Sequence, residues 1–186
     1  MRVLVTGATG YIGGRLAPRL VEAGHVVRVL VRDADRVRGR AWADRVEIAE
    51  GDVLEPATLE AALQGVDAAY YLIHSMSHAS DFAEVDRTAA ENFARAAKAA
   101  GVKHVIYLGG LQPEGQSTSL HLSSRAEVGR ILRESLPATE FQAGPVIGSG
   151  SASFEMVRYL TERLPVMVAP RWILNPVSPI GARDVL

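Results

Sequence analysis

Gly7, Gly10 and Gly13 stand three apart, directly after the apolar run Val3-Leu4-Val5. Glycines at this spacing between a strand and a helix can bind phosphate. Gly7 permits a tight turn, Gly10 lets the backbone approach a pyrophosphate, and Gly13 allows the helix to pack closely on the strand. The helix start then offers free N–H groups and the positive end of its dipole to the anion. The alternative, a glycine turn with no ligand, makes no use of this context, so the motif predicts a dinucleotide site. The end of the second strand selects the dinucleotide: an acidic residue suits a ribose 2′-hydroxyl, an arginine a 2′-phosphate. Here it reads Leu30-Val31-Arg32-Asp33. Arg32 can grip a phosphate bidentately, which favours NADP(H) over NAD(H), and Arg36 or Arg38 could assist. Asp33 could serve a ribose hydroxyl or pair with Arg32, and Arg32 could instead be a solvated surface charge.

Other chemistries are narrowed by composition. There is no cysteine, which excludes disulfides, thiolate nucleophiles and cysteine-bound zinc. His74 and His78 are four apart with Asp81 near, but they leave a strand for a loop with no strong third ligand, so no metal is expected. A net charge of −1 gives no bulk attraction to nucleic acid or anionic lipid. No apolar run approaches the roughly 18 residues of a membrane span, and nothing resembles a signal peptide. Cytoplasmic residence is the expectation.

The elements that must position these residues follow from periodicity. Strands are expected at Arg2–Thr6, His25–Val31, Val46–Glu50, Ala68–Ile73, His104–Leu108 and Thr139–Ala143. Helices are expected at Tyr11–Ala23, within Asp33–Trp42, from Pro56 to about Gln64, over Asp81–Ala100, Leu122–Leu136 and Ser153–Leu164. Asp81 with Glu84 reads as a capping box, and Phe82, Val85, Ala89, Phe93, Ala96 and Ala100 form its apolar face. Pro165–Leu186 reads as extended segments and turns, with Ala182–Leu186 like the first turn of an interrupted helix. Alternating strands and helices predict an α/β Rossmann-type doubly wound parallel sheet, helices on both faces, with a ligand crevice at the carboxyl ends of the strands.

The segment Thr6-Gly7-Ala8-Thr9-Gly10-Tyr11-Ile12-Gly13 resembles the signature of extended and atypical short-chain dehydrogenases/reductases, and the chain as a whole resembles their NAD(P)H-binding, NmrA-like members. The resemblance implies that Gly7, Thr9, Gly10, Tyr11, Ile12 and Gly13 bind the cofactor. It implies that Asp52 accepts from the adenine amino group, that Val53 packs on the ring, and that the Leu72-Ile73-His74 backbone lines the ribose. It also implies that Pro145 and Val146 touch the nicotinamide end. Family members carry a serine after the fifth strand and a Tyr-x-x-x-Lys on the next helix for proton transfer and ribose binding. This sequence has Leu108-Gly109-Gly110 at the strand end, and His121 and Arg125 at the Tyr-x-x-x-Lys spacing, with Ala126-Glu127-Val128 supporting the alignment. Asp86 and Asn92 lie where relatives carry asparagines, one of which relays protons.

Three roles for His121 stay open. It replaces tyrosine as proton donor while Arg125 keeps the cationic ribose contact, which suits an imidazole titrating near neutrality. Or the protein binds NADP(H) without chemistry and signals redox state, as NmrA-like regulators do. Or His121 caps the helix or packs. The expected activity is oxidoreduction of a small carbonyl or alcohol, with a non-catalytic sensor as the alternative and a sugar-nucleotide epimerase third. Residues 1–150 are expected to form the dinucleotide-binding domain, and 151–186 the start of a smaller, truncated substrate-side region. Met76, Met156 and Trp172 fit core packing better than a substrate wall, and the small-residue loop Ser149–Ser153 either borders the substrate or caps the following helix through Ser151 or Ser153. Helices Asp81–Ala100 and Leu122–Leu136 fit a homodimer contact as well as they fit packing on the sheet.

Overall fold

Long-range strand pairing dominates the architecture. The structure, a computed structural model, describes residues 1–74, 81–112, 119–165 and 176–186. They form two compact units, Met1–Gln142 and Ala143–Leu186, dividing eight residues before the 150/151 boundary expected from sequence.

The strands of the main sheet are β1 (Arg2–Thr6), β2 (Val26–Val31), β3 (Glu47–Glu50), β4 (Ala68–Tyr71), β5 (His104–Gly110) and β6 (Ala138–Ala143). The sheet order is β3-β2-β1-β4-β5-β6. The pairings of β1 with β2 and β4, of β2 with β3, and of β4 with β5 are all parallel. The chain order reverses between β1 and β4, and that switch point is where such sheets open a crevice. The central strands are apolar almost without interruption, as parallel strands covered on both faces must be: Val3, Leu4, Val5, Val27 and Val29 are all buried.

The helices are α1 (Gly13–Glu22), the single turn α2 (Asp35–Arg38), α3 (Pro56–Leu63), α4 (Phe82–Ala99) and α5 (Leu120–Ser135). Ala89, Phe93 and Ala96 bury one face of α4, while Val85 is 38% exposed, so the apolar stripe narrows at its first turn. Tyr71 of β4 packs tilted against Phe93 at 4.9 Å between ring centroids. Leu59, Leu63, Val105 and Leu132 complete the core between sheet and helices.

Three expectations about helix ends are corrected. Asp81 is the N-cap of α4, but its side chain makes no capping hydrogen bond, so the capping box does not form. α5 starts two residues early because Ser119 is its cap: Ser119 Oγ accepts from the Leu122 N–H at 3.3 Å. His121 therefore sits inside the first turn and is not the cap. No described residue makes a transmembrane-length apolar helix.

The second unit holds β7 (Val146–Ile147) paired in parallel with β8 (Ile180–Gly181), α6 (Ala152–Arg163) and the single turn α7 (Ala182–Val185). The tail, expected as extended segments and turns ending in the first turn of a helix, contains that helical turn and a short strand before it. Ser151 is the N-cap of α6, yet its hydroxyl donates to the Val146 carbonyl at 2.8 Å, and Glu155 caps from inside by accepting from Gly150 N–H at 3.0 Å. Met156 is 60% exposed, so it is not a core residue. Met76 and Trp172 lie outside the described residues.

Candidate active site

The glycine turn is built by backbone contacts that tolerate no side chains. Gly7 has φ 68°, a left-handed conformation that glycine adopts without a Cβ penalty. A Cβ there would also lie 2.7 Å from the Leu72 carbonyl oxygen of β4's exit. A Cβ at Gly13 would overlap the Gly7 carbonyl oxygen. The turn closes with Gly10 N–H donating to Gly7 O at 2.9 Å, and Gly14 N–H to Gly10 O at 3.0 Å. A Cβ at Gly10 would lie 3.2 Å from the Gly7 carbonyl oxygen, a tight contact, with no other atom close to it. Tyr11 and Ile12 belong to the turn, and Ile12 is the N-cap of α1. Gly14 and Arg15 N–H are bonded to the Gly10 and Ile12 carbonyls, which leaves the N–H groups of Tyr11, Ile12 and Gly13 without a backbone acceptor among the described residues, as a pyrophosphate needs. A dinucleotide therefore fits these residues.

Thr6 couples the turn to the next strand. Its hydroxyl donates to the Tyr70 carbonyl at 3.2 Å and accepts from the Leu72 N–H at 3.1 Å. This fixes the Leu72-Ile73-His74 exit beside Gly7, and Ile73 packs on the core while His74 reaches solvent.

At the end of β2, Arg32 is exposed. The carboxylate of Asp33 accepts from Asp35 N–H at 2.9 Å, so it is used in starting α2. Arg38 is ion-paired with Asp35. The arginine that returns to the turn is one the sequence reading did not select: Arg40 Nη2 donates to the Thr9 carbonyl at 2.9 Å. Its guanidinium also lies against Gly14, where a Cβ would sit 2.8 Å from Nη1. Arg32 is thus exposed at the strand end, and Arg40 reaches across the turn.

After β3, Asp52 Oδ1 accepts from Leu54 N–H at 2.9 Å, and the Asp52 N–H donates to Thr58 Oγ1 at 3.1 Å. The exit loop is held, Val53 is buried, and its carbonyl accepts from Asn92 Nδ2 at 3.2 Å. Asn92 is accordingly a brace for the loop expected against adenine. Pro145 and Val146 belong to the second unit, where the Pro145 carbonyl accepts from Ile180 N–H at 3.1 Å.

At the carboxyl ends of β4 and β5, α5 presents His121 and Arg125 on one face, four residues apart. The His121 ring stands edge-on to His74 at 6.4 Å between centroids and tilted to Phe82 at 6.5 Å. Arg125 is folded inward: Nη2 donates to the Leu108 carbonyl at 2.6 Å, and Nε is buried with no hydrogen-bond acceptor. A Cβ at Gly110 would lie 3.3 Å from that Nε. The guanidinium thus anchors the end of β5 to α5 while keeping its charge beside the histidines. Beneath it, buried Asp86 of α4 accepts from Ser124 Oγ at 3.1 Å.

The electrostatics follow from this arrangement. Burial, then the positive charge of Arg125, push the His121 imidazole below its ordinary value, with Asp86 opposing. His74 is pushed down by the same two causes and then by His121. Both rings are therefore mainly neutral at pH 7. Tyrosine offers no substitute. Tyr107 donates to the Arg125 carbonyl at 3.2 Å and burial pushes its phenol up to about 12. Burial raises Tyr71 further still.

The glycine that replaces the expected serine has a physical occupant. A Cβ at Gly109 would overlap the Glu140 carboxylate, and so would one at Gly129 of α5. Glu140 of β6 lies in the hollow between them, its side chain only 6% exposed and ion-paired with Arg133. His78 lies outside the described residues, and among the described residues no cluster of three metal-ligating side chains exists.

Comparison with known proteins agrees with this geometry. The profile of a family described as NAD(P)H-binding matches residues 7–142. The chain is 39% identical over 106 residues to (4-alkanoyl-5-oxo-2,5-dihydrofuran-3-yl)methyl phosphate reductase of Streptomyces griseus subsp. griseus, covering 57% of this chain and 33% of that protein. It is 39% identical over 109 residues to the NAD(P)H azoreductase of Xenophilus azovorans, covering 59% and 35%. The chain thus spans about a third of the length of these curated relatives. Among solved structures, the triphenylmethane reductase of a Citrobacter species complexed with NADP(H) superposes with a TM-score of 0.68 at 26% identity, over 87% of this chain and 55% of that one.

Proposed function

Because this chain belongs to the NAD(P)H-binding family of Rossmann proteins, related to the short-chain dehydrogenases and epimerases, we propose that it binds NADP(H) in preference to NAD(H) and reduces or oxidises a small carbonyl or alcohol. The observation that carries the reading is the convergence of His121, His74 and Arg125 at the ends of β4 and β5, beside the glycine turn. The cofactor, when bound, supplies or accepts a hydride. The chain supplies the rest. Gly7–Gly13 and the start of α1 hold the pyrophosphate, and the Asp52-Val53 and Leu72-Ile73-His74 exits border the nucleoside. His121 gives a proton to the carbonyl oxygen in reduction, or takes one from the alcohol in oxidation. Arg125 keeps a fixed positive charge near the developing oxyanion. Neutral His121 at pH 7 suits the oxidative direction directly. Reduction needs its protonated form and slows as pH rises through its depressed value.

The preference for the phosphorylated dinucleotide rests on Arg32 and Arg40. Each charge-assisted contact to a phosphate is worth about 1.5–3 kcal/mol. Arg32→Ala and Arg40→Ala should each weaken NADPH about ten- to a hundredfold and leave NADH within about threefold, read by quenching or enhancement of nicotinamide fluorescence. Equal losses for both cofactors would reject the selectivity.

Gly109 and Gly110, in place of a serine, favour a second reading: a cofactor-binding protein that reports redox state and does no chemistry. A turnover panel of quinones, aldehydes and ketones, run at saturating NADPH with the full-length protein, separates the two. Tight NADPH binding with no consumption across the panel would select the sensor.

A further inference from the structure

We propose that the substrate of this site is a 2-oxo or 3-oxo acid, a carbonyl compound whose own carboxylate is bound by Arg125. The inference rests on the hydride-transfer reading above and names its substrate class.

Arg125 is a half-buried cation without an anion. One of its N–H groups goes to the Leu108 carbonyl at 2.6 Å, and Nε is buried with no acceptor. Among the described residues no carboxylate stands within ion-pairing distance of it. Asp86 of α4 is buried and accepts from Ser124 Oγ at 3.1 Å. Taking a guanidinium partly out of water is costly unless an anion receives it. An anionic ligand completes this arrangement, whereas a neutral ketone leaves it as it is.

The surroundings of Arg125 supply donors and bare backbone. His121 shares its face of α5, four residues away, and His74 follows β4. Both imidazoles are exposed and open to a ligand. Gly109 and Gly110 close β5 without side chains, and a Cβ at Gly110 would come 3.3 Å from Arg125 Nε. The end of β5 therefore offers no hydroxyl or carboxylate to compete for the cation. Residues four apart on a helix carry side chains about 5–6 Å apart at Cβ. A ligand that meets His121 with its carbonyl oxygen and Arg125 with an anion must hold both groups within about that span. A carboxylate on the carbonyl carbon, or on the next carbon, does so.

The same anion prepares the acid. Burial and then Arg125 hold both imidazoles below their ordinary value; His121 also lowers His74, and Asp86 opposes at both. A carboxylate docked on Arg125 offsets the guanidinium charge and lifts the imidazoles, so binding draws in a proton before hydride transfer. In reduction, a hydride from the reduced nicotinamide forms the new C–H bond and His121 gives that proton to the carbonyl oxygen. The product is the hydroxy acid, the nicotinamide leaves oxidised, and one proton is consumed. Oxidation of the hydroxy acid runs the sequence backwards.

The first test uses oxamate, an unreactive amide with the shape of a 2-oxo acid, titrated calorimetrically into the full-length protein saturated with NADPH. Oxamate should bind at least tenfold tighter than its neutral ester, ethyl oxamate. It should also take up protons at a pH near the ordinary imidazole value, read from the dependence of the heat on the buffer. Arg125→Gln should abolish the difference between acid and ester, and Arg125→Lys should keep part of it, in proteins with unchanged circular dichroism. The comparison in the unaltered protein stands without either variant. The second test measures NADPH consumption with pyruvate against methyl pyruvate and acetoacetate against methyl acetoacetate. At least one acid should exceed its ester tenfold or more in kcat/KM. Oxamate bound no tighter than its ester, binding without proton uptake, or esters reduced as fast as their acids would overturn the proposal. Arg125 would then be a clamp between β5 and α5 and no more. Failure of the hydride-transfer reading looks different: oxamate would bind with its full dependence on Arg125, while neither acids nor esters consume NADPH.

Discussion

His121→Ala is expected to lower turnover by about 10² to 10⁴, the range general acid–base groups supply, while NADPH affinity stays within twofold. The separation follows from where the ring lies. It is edge-on to His74 in the first turn of α5, on a different element from the Gly7–Gly13 turn that holds the pyrophosphate. Its depressed proton affinity sets the pH dependence. In the oxidative direction kcat/KM should rise with pH with its midpoint below the ordinary imidazole value of about 6.5, because burial and Arg125 favour the neutral base. In the reductive direction kcat/KM should fall across the same interval. Arg125→Lys tests the charge separately. A lysine keeps the cation but loses the planar fork that reaches the Leu108 carbonyl. A His121→Ala protein with undiminished turnover and the wild-type pH profile would remove His121 from the chemistry.

The second large effect is at Gly13. Gly13→Ala puts a methyl into the Gly7 carbonyl oxygen, and the neighbour is backbone, which cannot rotate away. Overpacking of this kind costs about 1–3 kcal/mol. For a chain of this size that is a fall in Tm of roughly 2–4 °C per kcal/mol. The functional loss should exceed the loss of stability. Relief of the overlap must move either the start of α1 or the turn itself, and both present N–H groups to the pyrophosphate. NADPH and NADH should therefore lose binding equally, by a hundredfold or more, in a protein that remains folded by circular dichroism. This contrasts with Arg32→Ala, whose effect should depend on the 2′-phosphate. Retention of micromolar NADPH binding by the Gly13→Ala protein would show that the turn does not hold the cofactor.

The fold was legible because its signals are local. The apolar runs Val3-Leu4-Val5 and Val26–Val31, the glycine turn and the three- and four-residue spacing in α4 locate strands, turn and helix without tertiary information. The six parallel-sheet strands then follow the order that right-handed crossovers dictate. Helix ends were less legible because caps compete: Asp81 looks like a capping residue but does not cap, and Ser119 does. Placement was legible where a motif names positions: Gly7, Gly10 and Gly13 share one turn, and His121 and Arg125 share one face of α5. It was not legible where a long side chain returns from a distance. Arg40 lies 31 residues from the Thr9 carbonyl it reaches, and nothing local distinguishes it from Arg36 or Arg38. Arg125 also looks outward in sequence, at the place of a ribose-binding lysine, whereas its Nη2 is held by the Leu108 carbonyl. Glu140 gives only an alternating strand pattern, and its burial depends on two glycines from other elements.

That carboxylate couples two positions. A side chain at Gly109 would have to displace the end of the Glu140 side chain, since a Cβ there would overlap its carboxylate. Shortening Glu140 would remove the partner of Arg133 and open space beside Gly109 and Gly129. A serine at 109 and a shorter residue at 140 are therefore complementary changes, coupled by shape rather than by chemistry.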